Sequence, residues 1–199
     1  MKDKIKNAFK ESIALKEATL NANLEKIVYL VQLILDVLRK GGKILLFGNG
    51  GSAADAQHIA AEFVNRFRKE RHPLSALALT VDTSILTSIA NDYDFSLVFL
   101  KQIQALGKPG DIAWGISTSG NSPNVNLALE EAKKMGLKTV ALSGGTGGKM
   151  AGIADLALVV NSKNTPRIQE VHITIGHIVC ELVEEIFFSL ASTKKSAKK

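Results

Sequence analysis

Cysteine and long apolar runs are both scarce in this chain of 199 residues. The single cysteine, Cys180, excludes an internal disulfide, and its apolar neighbours Ile178, Val179 and Leu182 predict a buried thiol in a reducing compartment. The apolar runs are much shorter than the roughly 20 residues that cross a bilayer, and the first residues lack the pattern of a signal peptide. We therefore expect a cytoplasmic protein that has no membrane partner.

Negative charge is also in short supply, with 19 acidic against 25 basic residues and a net charge of +6. Such a balance suits a nucleic acid or an anionic surface as partner, but four of the lysines fall within the last six residues. Without them the net charge is +2. The body is thus nearly neutral, we expect no nucleic-acid partner, and the pattern predicts a disordered basic tail at 191–199.

Glycine and proline are absent from residues 1–40. Apolar side chains recur there at intervals of three and four, a pattern typical of helices, and we predict two of them. The apolar stripe consists of Leu24, Ile27, Val28, Val31, Leu35 and Leu38. Gly41 and Gly42 mark the end of the second helix. A helical extension placed before the core needs a cover for its apolar face, and a neighbouring subunit can supply it.

From residue 41 onward, short apolar runs alternate with helical stretches. This alternation predicts one α/β domain at 41–190, built around a parallel sheet that is covered on both faces. The predicted strands are 43–48, 74–80, 111–117, 138–143 and 156–161. The predicted helices are 52–67, 83–106 with an interruption, 123–135, 148–153 and 166–189. Such sheets bind ligands beyond the carboxyl ends of the strands, where the strand order reverses.

The first predicted strand ends in a glycine-rich loop that leads directly into a helix. The loop reads Gly48-Asn49-Gly50-Gly51-Ser52-Ala53. Backbone N–H groups at such a helix start can converge on an anion. The spacing also matches a relaxed dinucleotide fingerprint, which requires an acidic residue roughly 20 positions further on. The nearest candidate, Asp82, lies 29 positions beyond Ala53, so the dinucleotide match is weak.

The third predicted strand ends in a loop with four hydroxyl residues. The loop, called the hydroxyl loop below, reads Ser117-Thr118-Ser119-Gly120-Asn121-Ser122-Pro123. Ser122 has the chemistry of an N-cap and Pro123 that of a first helical residue. One hydroxyl suffices for a cap, so the remaining ones favour a bound phosphomonoester. A third glycine cluster at 144–150 lacks the Ser or Thr that a P-loop needs for Mg²⁺, and it predicts a turn.

Acid, base and metal-ligand candidates come from two predicted helices. His58 and Glu62 are four residues apart and therefore share one helix face. The last helix adds Gln169, Glu170, His172 and His177. Helical periodicity aligns Glu170 with His177 better than it aligns Gln169. A His-Glu-His set with an amide suits Zn²⁺, or an acid and base pair, provided that the two helices meet.

Five segments of this chain resemble one known family. They are GNGGSAADAQHIAAEF at 48–63, ND at 91–92, GISTSGNSPNV at 115–125, GGKMAGIAD at 147–155 and RIQEVHITIGHIVCELVE at 167–184. Together they resemble the bacterial phosphoheptose isomerases of the sugar isomerase (SIS) domain superfamily. The resemblance implies a flavodoxin-like three-layer sandwich around a five-stranded parallel sheet. It also implies a homotetramer in which the N-terminal helices at 1–40 pack between subunits.

The resemblance carries a site over, residue by residue. It implies that substrate is bound by Asn49, Gly50, Gly51, Ser52, Glu62, Asn91, Asp92, Ser117, Thr118, Ser119, Ser122 and Gln169. It implies one Zn²⁺ per subunit, held by His58, Glu62, Gln169 and His177, and so selects Gln169 over Glu170. The phosphate is expected on the hydroxyl loop, with Glu62 as the general base and His177 as the acid.

The activity that the resemblance implies is an aldose–ketose isomerisation. Sedoheptulose 7-phosphate is expected to become D-glycero-D-manno-heptose 7-phosphate, the first step towards ADP- or GDP-heptose precursors of lipopolysaccharide or capsule. The alternative is a non-catalytic SIS-domain binding protein, either a phosphosugar sensor or a tetramer that associates with the replication initiator. The presence of both Glu62 and His177, together with His58 and Gln169, favours the enzyme, because a scaffold does not need a complete acid, base and ligand set.

Overall fold

The computed structural model describes the backbone of residues 1–196 and the side chains of residues 1–189. The predicted tail at 191–199 therefore lies outside the described side chains. The helices are α1 Lys2–Arg39, α2 Gly51–Val64, α3 Thr83–Asp92, α4 Val98–Leu106, α5 Pro123–Lys134, α6 Gly148–Ile153 and α7 Thr165–Ser196. The strands are β1 Ile44–Gly48, β2 Ala76–Ala78, β3 Ile112–Ser117, β4 Lys138–Gly144 and β5 Leu156–Val160.

The sheet has five parallel strands in the order β2-β1-β3-β4-β5. The predicted parallel α/β fold is therefore confirmed, and the strand order reverses between β1 and β3. β2 is shorter than predicted, with three residues in place of 74–80. As an edge strand it pairs only with β1. The backbone N–H of Leu74, at its predicted start, donates instead to the carbonyl of Phe63 at the end of α2.

Two apolar cores cover the two faces of the sheet. Trp114 of β3 lies in the core beneath α1, α2 and α7, and Phe47 of β1 lies in the core beneath α4 and α5. Neither side chain has exposed surface. Side chains alternate between the faces along each strand, so the central strands are buried on both sides, as the continuous apolar runs predict.

The N-terminal extension is one continuous helix of 38 residues, so the prediction of two helices is wrong. The physical reason is the absence of glycine and proline, since no residue in the segment interrupts the helical hydrogen bonds. The apolar stripe is also wider than predicted. Leu24 and Val28 are 50% and 47% exposed, whereas Leu30 and Ile34 are completely buried. α1 is thus apolar on two faces, and this chain covers only one of them.

α7 is the second long helix, and it packs along both α1 and α2. This packing brings the second half of the predicted ligand set against the helix that carries the first half. Within the described part of the chain, no helix has the length and apolar character required to cross a bilayer.

Candidate active site

The two predicted ligand loops lie side by side at the carboxyl edge of the sheet. The glycine-rich loop follows β1, and the hydroxyl loop follows β3. β1 and β3 are neighbours in the sheet, and the strand order reverses between them. In open α/β sheets this reversal opens a crevice for ligands. The sequence therefore places both loops correctly.

The glycine-rich loop approaches other backbone and side-chain atoms too closely for larger residues. Gly50 has a positive φ of +54°, which favours glycine. A Cβ atom on Gly51 would collide with the side-chain amide of Gln169. Gln169 of α7 therefore lies directly against the first turn of α2. Ser52 is buried in that turn, with 4% of its surface exposed.

Asn49 joins the two loops through a reciprocal amide pair. Its Nδ2 donates to Oδ1 of Asn124 at 2.9 Å, and Nδ2 of Asn124 donates to Oδ1 of Asn49 at 2.8 Å. Asn124 is buried in the first turn of α5, and its Oδ1 also accepts from the backbone N–H of Val125. Sequence reasoning missed Asn124. Asn124 lies two residues after Ser122, in the first turn of α5. That position is the sequence signal for a polar contact beside the loops.

Three hydroxyl groups converge at the end of β3. Ser117 Oγ lies 2.9 Å from Ser122 Oγ and 3.3 Å from Ser119 Oγ. α5 begins at Pro123 with Ser122 as its N-cap residue, as predicted. The Ser122 hydroxyl, however, does not bond to a backbone N–H of the helix. It faces the other serines instead, which leaves a group of rotatable donors at a helix N-terminus.

The third glycine cluster supports the hydroxyl loop from behind. A Cβ on Gly148 would collide with the backbone of Gly120, and the N–H of Met150 donates to the Gly120 carbonyl at 3.0 Å. The N–H of Lys149 donates to Oδ1 of Asn121, also at 3.0 Å. The cluster forms a turn before α6, as predicted. Its backbone also fixes the shape of the neighbouring loop, which the sequence does not reveal.

His58, Glu62 and His177 meet where α2 packs against α7. Their ligand atoms all lie within 4.8 Å of one another. Nε2 of His58 lies 2.8 Å from Nε2 of His177 and 3.3 Å from Oε1 of Glu62. Nitrogen and oxygen ligands around a tetrahedral Zn²⁺ are about 3.3 Å apart, because each bond is about 2.0 Å long. The two imidazoles and the carboxylate therefore form a group that can hold a metal ion.

The structure separates Gln169 from Glu170. Glu170 points away from the histidines and pairs with Arg167 at 2.7 Å. It also lines a groove beside the first turns of α1. Helical periodicity therefore selects the wrong side of α7. The cluster also includes His58 and Glu62 of α2, and the periodicity of α7 alone does not predict where α2 packs against it.

His172, the remaining histidine of α7 in the candidate set, is a core residue. It has no exposed surface, and its Nε2–H donates to the carbonyl of Ser143 at 3.2 Å. Burial lowers the pKa of this ring to about 4, against the opposing effect of the Ser143 carbonyl. The ring is therefore neutral at pH 7 and lies apart from the His58-Glu62-His177 cluster.

Asp55 is a half-buried carboxylate one turn before His58, and sequence reasoning missed it. Burial raises the pKa of Asp55 to about 6, against the opposing effect of the charge on His58. Its Oδ2 atom is buried and accepts no hydrogen bond within the described residues. Asp55 and His58 are three residues apart on α2 and therefore lie on the same helix face. This spacing is the sequence signal that identifies Asp55.

A loop at 65–72 closes the far side of the cluster, held by a buried ion pair. Arg71 Nε lies 2.9 Å from Glu184 Oε1, and both side chains are almost fully buried. Arg71 also donates to the carbonyl of Glu62 at 2.8 Å. The ring of Phe67, in the same loop, lies 5.8 Å from the ring of His177. The Arg71 side chain thus contacts the backbone of the base candidate Glu62, and the Phe67 ring contacts the ring of the acid candidate His177.

Glu184 accepts several hydrogen bonds in this loop. Burial alone would raise its pKa, but the backbone N–H groups of Arg68, Phe67 and Lys69, together with the side chain of Arg71, lower the pKa to about 2. Glu184 is therefore fully ionised at neutral pH. Neither Arg71 nor Glu184 stood out in the sequence, because the pair is 113 positions apart.

Two candidate residues stay at the periphery. Asn91 and Asp92 are exposed at the end of α3, and Asn91 Nδ2 donates to Oδ1 of Asp92 at 2.9 Å. No hydrogen bond joins them to another candidate residue within the described chain. Asp82, the acidic residue considered for a dinucleotide, caps α3 by accepting from the N–H of Ile85. That use as an N-cap leaves the dinucleotide interpretation without its ribose ligand.

Comparisons with known proteins agree with this geometry. Residues 8–144 match the family model of the SIS domain. A phosphoheptose isomerase of Thermodesulfovibrio yellowstonii is 54% identical over 198 residues, which cover 100% of this chain and 98% of the relative.

Solved structures give the same result. A phosphoheptose isomerase from Neisseria gonorrhoeae is 44% identical, with a TM-score of 0.88 over 92% of this chain and 98% of that one. One from Francisella tularensis is 41% identical, with a TM-score of 0.89 over 92% and 97% of the two chains. The chain belongs to the SIS domain family and, within it, to the phosphoheptose isomerases, which are aldose–ketose isomerases.

Proposed function

We propose that this chain converts sedoheptulose 7-phosphate into D-glycero-D-manno-heptose 7-phosphate. The observation that carries the proposal is the meeting of His58, Glu62 and His177 beside the loops at the carboxyl edge of the sheet. The names of relatives at 54% identity support the choice of a phosphorylated heptose as substrate. A coupled assay of aldose formation tests the proposal, with sedoheptulose 7-phosphate compared against unphosphorylated sedoheptulose.

The phosphate end of the substrate is assigned to the hydroxyl loop. The hydroxyls of Ser117, Ser119 and Ser122 already face one another, and none of the three caps a helix backbone. Together with Thr118 they would donate to the phosphate oxygens, aided by the N-terminus of α5. The sugar hydroxyls are assigned to Asn49, Gly50, Gly51, Ser52, Asn91, Asp92 and Gln169.

The reacting end is assigned to Glu62 and His177. Isomerisation removes a proton from C1 of the ketose and adds one at C2, while a hydroxyl proton moves from O1 to O2, so atoms and charge balance. Glu62 is the proposed base for C1, and His177 is the proposed acid that returns a proton. Each contributes about 10²- to 10⁴-fold to the rate if it acts in this way.

The proposed cofactor is one Zn²⁺ per subunit. His58, Glu62 and His177 would hold it, with the amide of Gln169 as the fourth ligand. When bound, zinc supplies Lewis-acid polarisation of the substrate carbonyl. A set of two imidazoles and one carboxylate supports this choice of ion by its chemistry.

The proposed assembly is a homotetramer in which α1 packs between subunits. The support is a row of large apolar side chains on α1 that this chain leaves exposed: Ile5, Phe9, Ile13, Leu20, Leu24, Val28 and Tyr29. Large apolar side chains left exposed along most of a long helix are typical of an interface. We further propose a cytoplasmic location, which suits the buried free thiol of Cys180, and a product that enters heptose synthesis for lipopolysaccharide or capsule.

A non-catalytic sensor or scaffold is not favoured. Such a protein needs the hydroxyl loop but has no use for a carboxylate grouped with two imidazoles. The relatives that cover this chain end to end are named as isomerases.

A further inference from the structure

A lysine lies on the loop that joins β5 to α7, across a small cavity from the hydroxyl loop. The cavity has a volume of about 230 Å³, room for several molecules of the size of water, which takes about 30 Å³. Thr118 and Ser119 line one side of it, and Ser162, Lys163 and Thr165 line the other. Four hydroxyl residues and one lysine therefore line the same space.

The backbone of this second loop is well fixed. The carbonyl of Ser162 accepts from the N–H of Gly145 at 3.0 Å, and its hydroxyl accepts from the N–H of Asn164 at 3.1 Å. The carbonyl of Asn164 accepts from Ile168 at 3.0 Å, within the first turn of α7. The position of Lys163 at the rim of the cavity thus follows from ordered backbone contacts on both sides of it.

Charge makes the position of Lys163 informative. A phosphomonoester carries between about −1.5 and −2 charges at pH 7, whereas the hydroxyl loop contains no basic residue. Among the side chains that line the cavity, only Lys163 is charged. Within the described residues no carboxylate pairs with it, although the nearby Arg167 is paired with Glu170. The cation is therefore available to a ligand.

We infer that Lys163 binds the phosphate of the substrate across the cavity and so contributes to the preference for phosphorylated sugars. The inference rests on the proposed function, in which the hydroxyl loop holds that phosphate. Lysine acts here as a mobile point charge with three donors on a flexible stem. It supplies the charge that the neutral hydroxyls lack, and it leaves the chemistry at C1 and C2 unchanged.

The chain offers a matched control in Lys138. This residue is also exposed, but it is the first residue of β4, at the opposite end of the strand that leads to the cavity. Lys163→Met and Lys138→Met remove the same charge and the same number of donors. Only the first change removes them from the cavity.

Steady-state kinetics with sedoheptulose 7-phosphate tests the inference. We expect Lys163→Met to raise KM by about 5- to 20-fold, because the phosphate loses one charge-assisted hydrogen bond. The kcat of this variant should stay within about twofold of that of the unmodified chain. Lys163→Arg is expected to recover most of the loss, and Lys138→Met to match the unmodified chain. The effect should shrink in about 1 M salt, where charges are screened over about 3 Å. An unchanged KM in Lys163→Met, or an equal rise in Lys138→Met, would overturn the inference.

Binding of inorganic phosphate, measured by calorimetry, separates this inference from the proposed function. If Lys163 acts as inferred, Lys163→Met binds inorganic phosphate at least about fivefold more weakly than the unmodified chain, whichever sugar is the substrate. Equal phosphate affinity in the two proteins contradicts the role of Lys163 even if the isomerase activity is present. Loss of phosphate affinity without any isomerase activity contradicts the proposed function alone.

Discussion

Nε2 of His58 lies 2.8 Å from Nε2 of His177, although 119 positions separate the two residues in the sequence. At this distance one ring can donate a hydrogen bond to the other. With the carboxylate of Glu62 at 3.3 Å from His58, the same atoms can instead direct lone pairs at one cation. Packing of α7 against α2 therefore creates a site that neither helix holds alone.

Metal binding is the first testable consequence. We expect about one Zn²⁺ per subunit, measured by elemental analysis, and a loss of most of the activity after treatment with a strong chelator. His58→Ala should lower the zinc content well below one per subunit, because one of three well-placed ligands is removed. His72→Ala, at an exposed histidine outside the cluster, serves as the control and should keep its zinc. Full zinc content in His58→Ala would show that the ion lies elsewhere.

The second testable consequence concerns removal of the proposed base and acid. Glu62→Gln and His177→Ala are each expected to lower kcat by about 10²- to 10⁴-fold, because proton transfer at carbon loses its positioned partner. Far-ultraviolet circular dichroism should match that of the unmodified chain. Glu130→Gln, at an exposed position of α5, should retain its rate. Near-normal kcat in both site variants is incompatible with the assignment.

The third testable consequence concerns the hydroxyl loop. Ser119→Ala and Ser122→Ala each remove a proposed donor to the phosphate dianion, a hydrogen bond worth about 1.5 to 3 kcal/mol. We expect KM to rise at least tenfold in each variant while kcat changes much less. Thr87→Ala, a hydroxyl on the exposed face of α3, is the control. The same KM in all three variants would place the phosphate outside the hydroxyl loop.

The buried pair of Arg71 and Glu184 gives a prediction about stability and pH. The pKa of Glu184 is lowered from 4.5 to about 2. The contribution of its carboxylate to the free energy of unfolding is therefore complete above pH 4.5 and is lost as the pH falls towards 2. Glu184→Gln should therefore show a weaker decline in the free energy of unfolding over this range than the unmodified chain.

At pH 7 the same substitution should cost about 3 to 5 kcal/mol, because the Arg71 charge stays buried without its partner. Chemical denaturation at several pH values measures both effects. The double variant Arg71→Met with Glu184→Gln is expected to lose less free energy of unfolding than the sum of the losses in the two single variants, because it leaves no buried charge without its partner. Equal declines with pH in Glu184→Gln and the unmodified chain would assign the acid sensitivity to other carboxylates.

The exposed face of α1 gives the last prediction. Phe9 and Ile13 are 68% and 56% exposed in the single chain, and the proposed tetramer covers them. The double variant Phe9→Glu with Ile13→Glu should sediment as a smaller species than the unmodified chain, while Lys10→Glu on the same helix should remain a tetramer. Analytical ultracentrifugation measures the outcome, and a tetramer in the double variant would exclude this face as an interface.

The sequence predicts the sheet and both loops well because they depend on local signals. The continuous apolar runs identify β1 and β3, and Gly51 and Ser122 mark where the following helices begin. Periodicity also identifies α1, although it cannot tell one helix from two. The absence of glycine and proline is the better guide to one continuous helix, because no residue in the segment interrupts the helical hydrogen bonds.

The parts that the sequence does not reveal depend on contacts between distant segments. Asn124 meets Asn49, and Glu184 meets Arg71, only after the helices have packed. The periodicity argument for Glu170 fails for the same reason, because the position of the cluster depends on how α2 packs against α7. Such contacts leave no periodic trace along the chain.

The most direct measurement is nuclear magnetic resonance of sedoheptulose 7-phosphate incubated with the zinc-loaded chain and, separately, with its Glu62→Gln variant. We predict that the unmodified chain forms D-glycero-D-manno-heptose 7-phosphate and that the variant forms about 10² times less in the same period. No aldose from the unmodified chain, or equal amounts from both proteins, would contradict the account.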